Sequence, residues 1–161
     1  VSTPVNHALT PVTTSPTTTT TTPLPPLSWL MFPDAGFQPR GGPFTIGKVD
    51  WLPALDQAVT WWNTTSERTL FRVVDGPGQV ALSRTERFTS RCGPGTLACA
   101  SIGQECLVEF TPQAFAMWTI VAHELGHCLG LGHWNEPASV MNGRPHPTND
   151  LAILRAAGLL P

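Results

Sequence analysis

The sequence predicts an α+β domain built on a twisted, mostly antiparallel or mixed sheet. Three observations point that way. Apolar residues recur at three- and four-residue spacing through Leu52, Leu55, Val59 and Trp62, the period of a helix with one buried face. Four short β-branched or apolar runs follow between residues 70 and 110, with turn residues between them. A longer helical stretch then runs from about Pro112 to Leu129, and a last one starts at Thr148. Helix, strands and long helix in that order belong to an α+β chain.

The N-terminal 27 residues are mostly Thr, Pro and Ser, with an unbroken run from Thr17 to Thr22 and then Pro23, Pro25 and Pro26. Such a segment cannot bury enough apolar surface to offset its ordering entropy, so residues 1–27 are expected to be a disordered spacer and residues 28–161 the folded domain. Thr/Pro-rich segments of this kind are often O-glycosylated stalks. Ser28 to Phe32 reads as a first strand, closed by the turn Pro33-Asp34-Ala35-Gly36, and Phe44 to Ile46 as a short extended piece. The first helix takes Asp50 as its N-cap and Pro53 in its first turn, and ends near Asn63. Asn63-Thr64-Thr65 also fits the N-glycosylation pattern. Leu70 to Val74 and Gln79 to Ser83 are two strands around Asp75-Gly76-Pro77-Gly78, and Arg84 to Gly95 is a surface loop. Thr96 to Ser101 and Cys106 to Phe110 are two more strands. Thr111 caps the long helix with Pro112 at its first position, and Thr148 caps the last, with Leu151, Leu154 and Leu159 facing inward.

Composition narrows the function classes. With 161 residues the chain supports one sizeable core, and a net charge of -2 gives no electrostatic reason to expect nucleic acid as partner. No apolar run approaches the roughly 20 residues that span a bilayer. The chain begins at Val1 with no basic start or apolar h-region, so any secretory signal is expected to have been removed or left out. Four cysteines, Cys92, Cys99, Cys106 and Cys128, allow three pairings and suggest two disulfides in an oxidising compartment. The preferred pairing closes a short Gly/Pro loop with Cys92 and Cys99 and ties a strand to the long helix with Cys106 and Cys128. A structural zinc on these thiols is disfavoured by the lack of paired C-x-x-C spacing.

The chemistry lies in His123-Glu124-Leu125-Gly126-His127-Cys128-Leu129-Gly130-Leu131-Gly132-His133. Residues four apart share a helix face, so His123 and His127 can offer two imidazoles to one metal ion. Gly130 has no Cβ to oppose a left-handed turn, which lets the chain reverse and return His133 as a third ligand. Three neutral imidazoles and an open fourth position suit a catalytic Zn2+. Glu124 is not needed for coordination and is free to take a proton from the water that such a metal acidifies. The competing explanation, a buried helix whose histidines make core hydrogen bonds, does not account for three of them at ligand spacing with an acid beside the first.

These eleven residues match His-Glu-x-x-His-x-x-Gly-x-x-His without departure, and Ser139-Val140-Met141 follows them. In this the chain resembles the matrixin-type metzincins, over roughly Ser28 to Leu160. The resemblance implies a zincin-like fold with a long active-site helix, a Met-turn and a C-terminal helix. It implies one zinc on His123, His127 and His133, Glu124 as general base and later proton donor, and Met141 as a hydrophobic base beneath the metal that does not coordinate it. It further implies that Thr96 to Ser101 is the edge strand that pairs with an extended polypeptide substrate. The expected protein is a secreted, extracellular, monomeric endopeptidase.

The chain also departs from relatives of that group. It has no tyrosine, and Asn142 follows Met141, so the extra tyrosine ligand that astacins place there is absent. The only histidine before His123 is His7, which removes the ligands vertebrate matrixins use for a structural zinc. Calcium stays unassigned, since acids such as Asp75 and Glu86 stand isolated. Asn142 to Asp150, the stretch that walls the pocket in that group, lacks its Pro-x-Tyr, and Arg144 and His146 could line that pocket or be solvated. Arg91-Cys92-Gly93 is similar to the inhibitory tripeptide of matrixin propeptides but lies inside the domain, where a disulfide is the expected fate of Cys92. The alternatives are a catalytically weak, zinc-bound domain that binds peptides or a partner, and a hydrolase of cell-wall peptides. A pure binding module has no need of Glu124.

Overall fold

A computed structural model describes residues 43–88, 92–103, 105–134 and 138–161. The expected spacer 1–27 and the expected strand and turn at 28–36 lie outside the described residues. Strands β1 (Phe44–Gly47), β2 (Phe71–Val74), β3 (Val80–Arg84), β4 (Ala98–Ile102) and β5 (Cys106–Phe110) form one sheet in the order β2-β1-β3-β5-β4. Among the described residues the α-helices are α1 (Leu55–Ser66), α2 (Trp118–Cys128) and α3 (Pro147–Ala156). The fold is α+β, and the sheet is the mixed alternative: β1 is parallel to β2 and β3, β3 is parallel to β5, and among the described strands only β4 runs antiparallel, at the edge.

The two strands expected around residues 75–78 are present, but they do not pair with each other. β2 ends with Val74 beside Gly47, and β3 begins with Val80 beside Ile46. The chain therefore steps across the end of β1 and continues in the same direction on its other side. That step needs bare backbone. A Cβ on Gly78 would lie 2.5 Å from the carbonyl oxygen of Thr45, and one on Gly47 would lie 2.6 Å from that of Gly76. The side chain of Gln79 takes up the amide of Thr45 at 3.1 Å, and Thr45 Oγ1 accepts the amide of Gln79 at 3.1 Å.

Four helix boundaries differ from expectation. α1 starts at Leu55, with Ala54 and not Asp50 in the cap position, because a residue before proline resists the helical region and Leu52 precedes Pro53. Trp51 is left outside the helix, where its ring meets Phe115 at 5.0 Å. α1 also runs past Asn63 to Ser66 and closes on Glu67 in a left-handed conformation (φ 55°). The amide of Asn63 is committed to β2: Oδ1 accepts from the backbone N–H of Leu70 and Phe71 at 2.8 and 3.0 Å, and Nδ2 donates to Phe71 O at 2.9 Å. The long helix is split. Pro112–Ala114 is a separate 3₁₀ turn, and α2 begins only at Trp118, since Phe115 turns its carbonyl to the amide of Ala54 and its ring to Trp51. The Thr111 hydroxyl caps nothing and donates to Leu97 O at 2.9 Å. Thr148 is likewise not a cap: His146 holds that position, and Pro147 opens α3.

The core lies where α1 and α2 pack against the sheet and each other, with α3 packed on α1. Trp62, Phe71, Phe110, Leu125, Ile153 and Leu154 are fully buried there. Leu151 and Leu159 are half-buried. Among the described residues no helix is long and apolar enough to cross a membrane. Cys92 is bonded to Cys99, and Cys106 to Cys128. The second bond joins β5 to the last residue of α2 across 22 positions. Replacing Cys106 and Cys128 together by alanine is expected to lower stability by about 3 kcal/mol, from the loop-closure entropy restored to the unfolded chain. Urea denaturation of the two chains measures it, and an unchanged midpoint would show that the bridge does not constrain the unfolded state.

Candidate metal centre

Helical spacing places His123 and His127 on one side of α2, and the end of that helix returns the third ring. Gly130 takes a left-handed conformation (φ 87°). The amide of Leu131 bonds back to Gly126 O at 3.1 Å and that of Gly130 to His127 O at 2.8 Å, the paired closure of a glycine-terminated helix. The reversal brings His133 against the pair. Ring centroids are 4.6 Å apart for His123 and His127, 4.9 Å for His127 and His133, and 5.2 Å for His123 and His133. One nitrogen from each lies within 4.8 Å of the others, a set able to hold a single metal ion.

The backbone settles which nitrogens face inward. Nδ1 of His123 lies 3.0 Å from Val140 O and Nδ1 of His127 lies 2.7 Å from Leu131 O. A carbonyl can only accept, so each Nδ1 carries the hydrogen and each Nε2 is the ring nitrogen that carries the lone pair. Carbonyl partners of this kind fix ring orientation and tautomer for a metal. Burial lowers the pKa of both rings, that of His127 to about 4 with help from the neighbouring His123. The pair is therefore neutral at pH 7, the ligating form. His133 is exposed and completes the set from the solvent side. The donors present fit zinc: three imidazoles, no fourth protein ligand among the described residues, and an opening towards solvent.

That opening is a cleft of about 480 Å³. Leu97 and Ala98, at the start of the edge strand β4, form one side. Thr119, Ile120, His123 and Glu124 form the α2 side, Met141 lies in the floor, and Asn142 and Gly143 form the far wall. Arg144 and His146 are exposed and do not line it. Glu124 is 6 % exposed. Burial pushes its carboxyl up to about 7, against a hydrogen bond from the backbone of Ala100.

Beneath the rings, Val140–Asn142 is a 3₁₀ turn. Asp150, fully buried at the start of α3, holds it. Oδ1 accepts from Ser139 Oγ at 2.8 Å and from the Val140 amide at 2.9 Å, and Oδ2 accepts from the His146 amide at 3.0 Å. Val140 thus takes an anchor from Asp150 through its N–H and gives one to His123 through its C=O. Asp150, Trp62 and Gly126 are not functional candidates by local pattern: Trp62 reads as core, Gly126 as a free position of the motif and Asp150 as an ordinary first-turn acid. An acid in the first turn of an otherwise apolar-faced helix is the one local signal that could have found Asp150.

With this geometry in place, comparison with known proteins is specific. The matrixin family model matches residues 49–151. Human matrix metalloproteinase-19 is 35% identical over 115 residues, covering 58% of this chain and 22% of that protein. The mouse matrix metalloproteinase-19 is 34% identical over 106 residues, covering 56% of this chain and 20% of that protein. The chain thus spans about a fifth of the length of these curated relatives.

Proposed function

The chain belongs to the matrixin family, and from that premise we propose that it is a secreted, zinc-dependent endopeptidase that cleaves extended polypeptides with Glu124 as general base. The observation that carries this reading is the convergence of three imidazoles on the wall of an open cleft, with a carboxylate beside the first. When bound, zinc supplies Lewis acidity for the scissile carbonyl and makes an attacking water acidic near neutral pH. The rest falls to the chain's own groups. His123 and His127 offer Nε2 with the tautomer set by Val140 and Leu131, and His133 supplies the third nitrogen. Glu124 takes the proton of the attacking water and passes it to the leaving amine. As the edge strand of the described sheet, β4 offers backbone amides and carbonyls to an extended chain. Met141 closes the floor without coordinating.

On this reading residues 28–161 are the catalytic domain, residues 1–27 a spacer, and the protein a monomer with one zinc. The two disulfides support an oxidising, extracellular setting. The test is hydrolysis of denatured casein before and after chelation with 1,10-phenanthroline. Activity is expected to vanish with the chelator and return with added zinc. Hydrolysis that the chelator leaves intact would overturn the metal-dependent mechanism.

A further inference from the structure

Gly126 stands in α2 between His123 and His127, yet its effect on the site comes through what it leaves out. It is buried, and two side chains from different elements close on its bare face. A Cβ there would fall on the sulfur of Met141, 3.3 Å from the Met141 terminal methyl and 3.0 Å from Cζ2 of Trp62. Neither neighbour has room to retreat, since Trp62 is 0% and Met141 1% exposed. Each is also tied to the backbone at or around His123. Trp62 comes from α1, and its indole N–H donates at 2.8 Å to the carbonyl of Ala122, the residue before His123. Met141 follows Val140, whose carbonyl accepts from His123 Nδ1 at 3.0 Å. Three elements therefore meet at one missing side chain; one of them holds His123 through the Val140 carbonyl, and another holds the residue before it.

We infer that Gly126 is a positioning residue for the metal centre: the empty space at its Cα sets how closely the 3₁₀ turn at Val140–Asn142 approaches α2, and so where the Val140 carbonyl holds His123. The inference rests on the reading that the histidines bind zinc. A glycine inside a helix is less favourable than alanine because it leaves more freedom to the unfolded chain. A Gly126 with no such role would be improved by a methyl group. Here the methyl displaces Met141, carries Val140 with it, and turns the His123 ring.

The test measures zinc affinity, by competition with a chromophoric chelator, for the unmodified chain and for G126A, M141A and the double variant G126A/M141A. Visible spectra of the cobalt-loaded forms report ligand geometry. G126A is expected to bind zinc about 10–100-fold more weakly, the usual cost of disturbing a ligand's supporting partner, and to shift the cobalt bands. In the M141A background the same methyl keeps only the 3.0 Å contact with Trp62 and is expected to cost much less affinity. A G126A chain that is more heat-stable and binds zinc unchanged overturns the inference, as does an equal loss in both backgrounds. If G126A fails to fold while the double variant folds, the coupling to Met141 is supported. If neither folds, the methyl is excluded by something other than Met141 and the inference falls. Absence of zinc binding by the unmodified chain would instead overturn the proposed function.

Discussion

Glu124→Gln is expected to lower kcat by about 10²–10⁴-fold, the range a positioned general base contributes, while zinc affinity and KM stay near their original values. The separation follows from where the side chain sits. Glu124 lines the cleft beside the three imidazoles without belonging to the ligand set, so its loss leaves the coordinating nitrogens in place. Glutamine keeps the volume of a side chain only 6 % exposed, and its carbonyl oxygen can still accept from the Ala100 backbone that steadies the carboxylate. What the amide lacks is a basic oxygen to receive a proton. His133→Ala provides the contrast, since it removes a ligand and is expected to lose zinc and activity together. Steady-state kinetics with parallel zinc analysis distinguishes the two. A Glu124→Gln chain that hydrolyses casein at the original rate would remove the base assignment and leave a binding cleft in its place.

The ligand set was legible in the sequence because helical spacing and one glycine nearly determine it. Two residues four apart must share a face, and Gly130 does adopt the left-handed turn (φ 87°) that returns His133. The fold class and the split into helical and strand segments were legible for the same reason, as periods of local pattern. What escaped was set by contacts distant in sequence. Nothing near residues 70–84 reveals that β1, some thirty positions earlier, lies between the two strands there. The clash that demands Gly78 is with the backbone of Thr45 and Gly47. The long helix was expected to start at Pro112 because Thr111-Pro112 is a good local start signal, but the Phe115 carbonyl and ring are claimed by Ala54 and Trp51. Asp150 reads locally as an ordinary first-turn acid, and only the folded chain places Ser139 and Val140 over it.

Asp150→Ala is expected to be the most damaging substitution outside the ligand set and Glu124. It removes the acceptor for three donors, Ser139 Oγ and the amides of Val140 and His146, and leaves them buried or half-buried without that partner. Each buried donor so stranded costs about 1–3 kcal/mol. Part of this is offset because the carboxyl is itself costly to bury: burial outweighs the three hydrogen bonds and holds its pKa above the ordinary value. A net loss of about 2–4 kcal/mol is expected on that basis, read from urea denaturation. Zinc affinity is expected to fall about 10–100-fold as well, because the Val140 carbonyl that orients His123 loses its anchor. Asp150→Asn separates the two effects. Its remaining carbonyl can keep the two bonds to Ser139 and Val140, while its amide opposes the N–H of His146, so zinc affinity should survive better than stability. The same variant checks the sign of the pKa shift. A carboxyl raised in the fold binds its proton more tightly there than in the unfolded chain, so its contribution to stability falls as pH rises through the raised value. Asparagine does not titrate. The stability gap between the Asn variant and the unmodified chain should therefore narrow as pH rises from the ordinary carboxylate value through the raised one, and a gap that widens would show that Asp150 is held ionised by its three donors and not opposed by burial.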